Sequence, residues 1–173
     1  MRRFWAALGS LLFFVIAPGT LALYIPWSIT NWHLRPAFLG LDALRVVGAA
    51  LVFLGLIAVV DAFARFVWKG FGTPVPIAPP IRLVVTGFYR RVRNPIYVGL
   101  IAIIIGEALI LGDERMLVYA AILWLFWHVA VVAYEEPTLA SSFGDEFATF
   151  KANVPRWLPR LTAWAGPAKD QGS

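Results

Sequence analysis

Residues 95–134 read PIYVGLIAIIIGEALILG (95–112), DER (113–115) and MLVYAAILWLFWHVAVVAY (116–134). Each apolar run is close to the roughly 20 residues that cross about 30 Å of hydrocarbon at 1.5 Å per residue. Three charged residues are all that separate them, so the two runs are expected to form a tight antiparallel hairpin of membrane helices. Working outward, residues 4–27 and 43–68 are two further apolar runs of spanning length. The expectation is one all-α membrane domain over 1–173 with four transmembrane helices. Composition agrees: 60% of the 173 residues are apolar and 14% charged, against about 45–50% and 25% in soluble domains. Mean hydropathy is +0.74.

Several chemistries are closed to such a chain. It has no cysteine and only two distant histidines, His33 and His128, which excludes disulfides, thiolate nucleophiles and Cys-ligated metals and argues against any metal site. The net charge of +5 fits loops facing anionic lipid better than nucleic acid. Arg2 and Arg3 before an apolar run also suit a signal peptide, but the run continues through Pro18 to Trp27 without a clear cleavage signal. With four spans both termini share one side. Arg2, Arg3, Lys69, Arg82, Arg90, Arg91, Arg93, Lys151, Arg156, Arg160 and Lys169 fall there, and only Arg35 and Arg115 lie in the opposite loops. That asymmetry makes the termini cytoplasmic.

The cytoplasmic segments 69–94 and 135–160 carry the unusual residues. Gly70 to Pro80 is too rich in Gly and Pro for a helix. Residues 83–99, LVVTGFYRRVRNPIYVG, place three arginines before Pro95, with Asn94 in the N-cap position and Pro95 at the first helical one. A positive-inside tether would explain that much. It does not explain Glu135 and Glu136, adjacent acids at the cytoplasmic end of a span. After them Ser142-x-x-Asp145 resembles a capping box opening a short C-terminal helix, with Leu139, Phe143, Phe147, Phe150 and Val154 on one stripe.

Taken in order, Gly-Thr-Pro-x-Pro-x-x-Pro-Pro, Thr-Gly-x-Tyr-Arg-x-x-Arg-Asn-Pro-x-Tyr-x-Gly, a helical hairpin, Glu-Glu-Pro-x-Leu, Phe-Gly-Asp-Glu-Phe and Val-Pro-Arg-Trp-x-Pro closely resemble the isoprenylcysteine carboxyl methyltransferase family. Related membrane phospholipid methyltransferases share part of the pattern, which runs from Gly72 to Pro159. The resemblance implies an integral membrane enzyme using S-adenosylmethionine (SAM) on the cytoplasmic side. It implies that Arg93, Asn94, Pro95, Tyr97 and Gly99 form a first cofactor-binding motif and Glu135 with Glu136 a second, Arg93 and Glu135 being the expected catalytic residues. Two positions depart from the family: Asn94 stands where many members have His, and Phe147 or Phe150 where they have Tyr. Asn94 therefore serves hydrogen bonding or capping, not proton transfer.

The residue types suit that cofactor on independent grounds. Carboxylates accept from an ammonium or ribose hydroxyls, and an arginine pairs with a carboxylate. Adjacent helical positions diverge, so one of Glu135 and Glu136 is expected at the cofactor and the other on a nearby arginine. Asp61 and Arg65, four apart in span two, are expected to pair. Glu107 is an intramembrane acid and a functional suspect, although it lies near the opposite surface. Trp124, Trp127, His128, Val131, Tyr134 and Glu135 share a helical face by their spacing. That face, with Arg65 at head-group depth, suggests a wall for a lipid or lipid-modified substrate arriving sideways between spans two and four. Methyl transfer to a lipophilic acceptor is the resulting expectation. A nicotinamide-dependent membrane reductase of the sterol or steroid reductase kind and a non-catalytic membrane scaffold are the alternatives. The acceptor and the oligomeric state are not legible in the sequence.

Overall fold

The computed structural model describes residues 16–69 and 83–166, with backbone alone at 66–69. The expected extended segment from Gly70 to Pro80, the first part of span one (4–15), and Arg2, Arg3, Arg82 and Lys169 lie outside the described residues. Within them the fold is helical, without strands. Helix α1 (16–30) is π-helical over Thr20–Tyr24 and α-helical over Ile25–Thr30. Helix α2 is Ala43–Lys69, α3 Pro95–Leu111, α4 Glu114–Ala130 and α5 Glu136–Asn153; a π turn, Val131–Glu135, joins α4 to α5.

Two helical stretches are long and apolar enough to cross a membrane, Ala43–Arg65 and Glu114–Asn153; Pro95–Leu111 is apolar but shorter. At 1.5 Å per residue α3 spans about 25 Å. Its apolar residues run all round, as suits a helix enclosed by others. Helix α3 contacts α1, α2 and α4, and Leu100, Ile103, Ile104 and Ala108 are buried. Glycines bring α2 and α3 into backbone contact. A Cβ on Gly55 would sit 2.6 Å from the Gly99 carbonyl oxygen, and one on Gly106 2.5 Å from that of Gly48. Small residues permit that approach where larger ones forbid it.

The hairpin is tighter than expected. Gly112, at φ 69°, ends α3, and the Asp113 carboxylate accepts the Arg115 amide to begin α4. Asp113 is fully buried between Arg35 and Arg115, the two basic residues assigned to this side. Arg45 donates to the carbonyls of Ile110 and Arg35, so the 31–42 loop is tied to the hairpin.

At the other end the expected short helix is replaced by a longer one. Helix α5 continues from α4 through the π turn, and Ser142 lies inside it, with Gly144 at φ 48° marking a kink. Ser142-x-x-Asp145 is therefore not a cap, because no chain break precedes it. The stripe holds: Phe147, Phe150 and Val154 are buried with Leu139 and Phe143 alongside, against Leu83, Val85 and Trp164.

Candidate active site

At the basic end of α3 the chain doubles back on itself. The Arg93 amide donates to the Pro155 carbonyl, Arg160 to that of Arg91, and Trp164 to that of Arg90. This ladder holds residues 155–164 beside 90–93. Asn94 occupies the N-cap position, yet its side chain caps nothing. Its amide donates to the Arg156 carbonyl at 3.2 Å, so Asn94 ties the C-terminal segment to the head of α3. Pro95 is buried at the first position of that helix.

Two carboxylates face different partners here. Glu136 is buried and accepts from Arg93 at 2.9 Å and from Arg156 at 2.5 and 2.9 Å, with Lys151 at 3.4 Å. Burial pushes its carboxyl up, but the Arg156 hydrogen bonds and the charges of Arg93, Arg156 and Lys151 outweigh that and hold it below the usual carboxylate range. Glu135 instead accepts from the Tyr97 hydroxyl at 2.6 Å. Burial raises its carboxyl, the Tyr97 bond opposing and the charge of Glu136 reinforcing the rise. The two acids do diverge: Glu136 takes the arginines, as expected of one of the pair, and Glu135 takes the Tyr97 hydroxyl.

Arg93 carries the most telling feature. Its Nε is buried and has no hydrogen-bond partner, although a guanidinium N–H left unpaired in a protein interior is costly. Burial also lowers its basicity, against the pull of Glu136. Side chains close over that donor, so a ligand could reach it only if they shifted. Tyr97 stacks on Trp127, ring centroids 4.8 Å apart, giving the pair an aromatic wall. SAM offers a carboxylate, an ammonium and ribose hydroxyls, and guanidinium, carboxylate and aromatic groups are the types that meet them.

Other expected site residues divide among different surroundings. Gly99 is turned to α2, where a Cβ would meet Val59 at 2.7 Å. Val131 is 1% exposed and so presents no open face. His128 accepts from Trp157 Nε1 through Nδ1 at 3.0 Å and stacks on Trp124 at 5.1 Å. The π turn inserts one residue per turn after Ala130, rotating Glu135 by roughly 100° from the face that periodicity assigns it. His128 therefore turns to Trp157 while Glu135 turns to Tyr97. Arg65 pairs with Asp61 at 2.8 Å, as expected, but the pair lies with Gly87 and Phe88: the Phe88 amide donates to Asp61 and Gly87 packs on the guanidinium. Helices α2 and α4 each pack against α3. Glu107 keeps a buried Oε2 without a partner.

Arg156, Lys151, Trp157 and Tyr89 join the site without having been singled out in the sequence. Burial raises the Tyr89 hydroxyl, and the charges of Glu135 and Asp61 raise it further. Arg156 and Tyr89 stand inside the quoted motifs Val-Pro-Arg-Trp-x-Pro and Thr-Gly-x-Tyr-Arg, which was the available signal.

Two helices long and apolar enough to cross a membrane, with a buried ionic cluster at the basic end of α3, define a helical protein of membrane type. The phospholipid methyltransferase family profile matches residues 43–146, and the chain belongs to that family. It is also 35% identical over 80 residues to the protein-S-isoprenylcysteine O-methyltransferase of Schizosaccharomyces pombe, a match covering 46% of this chain and 34% of that protein. The chain thus spans about a third of the length of that curated relative. No solved structure matches the chain.

Proposed function

We propose that the protein is a SAM-dependent integral membrane methyltransferase with four spans, acting on a lipophilic acceptor, carboxylate or head group, at the cytoplasmic face. The observation that carries this reading is the buried Arg93–Glu136–Arg156 cluster next in the chain to the Tyr97–Glu135 hydrogen bond. Family membership and the identity to a named methyltransferase support the reaction class.

When bound, SAM supplies an electrophilic methyl group that an acceptor heteroatom takes by in-line displacement, leaving a neutral thioether. The chain's part is binding, orientation and exclusion of water. The Arg93 guanidinium would hold the carboxylate of the cofactor. Glu136, Arg156 and Lys151 fix the Arg93 fork, so they act as positioning residues. Glu135, oriented by the Tyr97 hydroxyl, accepts from the cofactor's ammonium or a ribose hydroxyl, and the Tyr97–Trp127 stack closes the apolar side. Trp124, His128 and Trp157 supply the wall for an acceptor arriving from the lipid. A lipid cannot leave the bilayer cheaply, at about 0.8 kcal/mol per exposed CH₂. It therefore reaches the site sideways.

Calorimetry with SAM tests the assignment. Glu135→Gln is expected to weaken binding by about 1.5 to 3 kcal/mol, the worth of a charge-assisted contact. Arg93→Ala should weaken it at least as much. Unchanged SAM affinity in both variants contradicts the site.

A further inference from the structure

An opening lined by Arg90 and Arg91 lies at the turn that precedes Arg93. It is an open groove of about 1060 Å³ between α2, the 86–91 turn and the 159–165 segment. Arg65, Arg90, Arg91 and Arg160 line it with a single acid, Asp61, four positive charges against one negative. Arg65 is tied to Asp61. The other three guanidiniums have only neutral partners among the described residues. Arg90 donates to the Trp164 carbonyl, Arg91 to those of Arg160 and Leu161, and Arg160 to that of Asn153. These carbonyls hold the side chains in place without cancelling their charge, and a guanidinium has five N–H donors. Three fixed cations with spare donors call for an anion.

The shape says which anion. Leu54, Asp61 and Arg65 lie on one face of α2 and all line the groove. From Arg65 to Leu54 is eleven residues, about 16 Å along the helix. Leu54 is 60% exposed. The groove thus runs from an arginine floor at the basic end down an apolar helix face that meets lipid. A soluble anion has no use for the lower half. A zwitterionic head group brings a cation for which the groove holds only Asp61, already taken.

We propose that this groove is a binding site for one anionic phospholipid of the surrounding bilayer, its phosphodiester on Arg90, Arg91 and Arg160 and an acyl chain along α2 toward Leu54. Arg91 and Arg93, separated by one residue, then serve two ligands: Arg91 turns to the groove and Arg93 to Glu136. The bound lipid is distinct from the methyl acceptor and pins the C-terminal segment whose Arg156 and Trp157 enter the active site.

Native mass spectrometry of the full chain in detergent, supplied with phosphatidylglycerol or phosphatidylcholine of the same chains, tests this. The wild type is expected to retain one phosphatidylglycerol at ratios where phosphatidylcholine is lost. Ala163→Glu adds a carboxylate at an exposed position lining the groove, removes no side-chain contact, and should reduce that retention about fivefold or more, as expected for each charge altered at an anionic lipid. Arg160→Gln should do the same by an independent route and covers the case in which Ala163→Glu fails to fold. Equal retention of both lipids, or undiminished phosphatidylglycerol preference in the folded variants, overturns the proposal. So does displacement of the lipid by inorganic phosphate, which would show that no acyl chain is required. Recovery of the retained lipid in methylated form after SAM is added would overturn it too, by making the groove the acceptor site.

Discussion

Glu136 sits among Arg93, Arg156 and Lys151, while its neighbour Glu135 faces the Tyr97 hydroxyl. Removing a charge therefore has opposite consequences at the two positions. Glu136→Gln leaves buried cations without a counter-charge and is expected to cost about 3 kcal/mol of stability. Glu135→Gln keeps an acceptor for Tyr97 and removes a carboxylate that burial disfavours, so its melting temperature at neutral pH should equal or exceed that of the wild type. The pH dependence follows the same division. The Glu136 carboxyl is held below its unfolded value, so its contribution is present above the unfolded pKa, about 4.3, and is lost as pH falls through the folded pKa. The Glu135 carboxyl is raised, and its contribution is greatest below the unfolded pKa and is lost as pH rises through the folded one. Melting curves of the two variants between pH 3 and pH 8 should diverge accordingly; parallel curves would contradict the assignment of surroundings. The parts were legible but not their meeting: Arg93 and Tyr97 stand in one motif and the acid pair in another, 43 positions separating Arg93 from Glu136. The orphaned Nε of Arg93 and the Asn94 bond to Arg156 were not, because both depend on residues 155–164 returning to the head of α3.

At the scale of elements, the seam between α2 and α3 depends on Gly48, Gly55, Gly99 and Gly106. Gly106→Ala should force the helices apart and cost about 1 to 3 kcal/mol, as overpacking does. Gly19, in α1, has nothing within 4 Å of its would-be Cβ, so Gly19→Ala should be neutral or slightly stabilising. Thermal unfolding of both variants in the same detergent distinguishes a packing seam from a general intolerance of helix glycines. The helices themselves were readable from apolar length, and the hairpin from the three residues between its runs. The π turn at Val131–Glu135 was not readable, since a one-residue insertion leaves no mark in composition. Its consequence was a helical face drawn one residue too far, joining His128 to Glu135 when each turns to a different partner. The separate C-terminal helix failed for a related reason. Ser142-x-x-Asp145 has the residues of a cap, but a cap needs a chain break before it, and backbone hydrogen bonding runs unbroken through the π turn.

For the whole molecule, the topology proposed from charge asymmetry puts Ser142 and the candidate site in the cytoplasm and the tip of the 31–42 loop outside. The chain has no cysteine, so single replacements report position directly. Ser142→Cys should be modified by a membrane-impermeant maleimide only after the cytoplasmic face is opened. Leu39→Cys, at a residue 90% exposed, should react in sealed cells; the reverse pattern would invert the topology. The central claim is that the Arg93 and Glu135 site moves a methyl group from SAM to a lipophilic acceptor. Incubating the purified protein with methyl-labelled SAM and a membrane lipid extract measures this directly. Label in an organic-soluble product is expected with the wild type and background label with Arg93→Ala. An unlabelled extract from a wild type that also fails to retain SAM, or full labelling by Arg93→Ala, would contradict it.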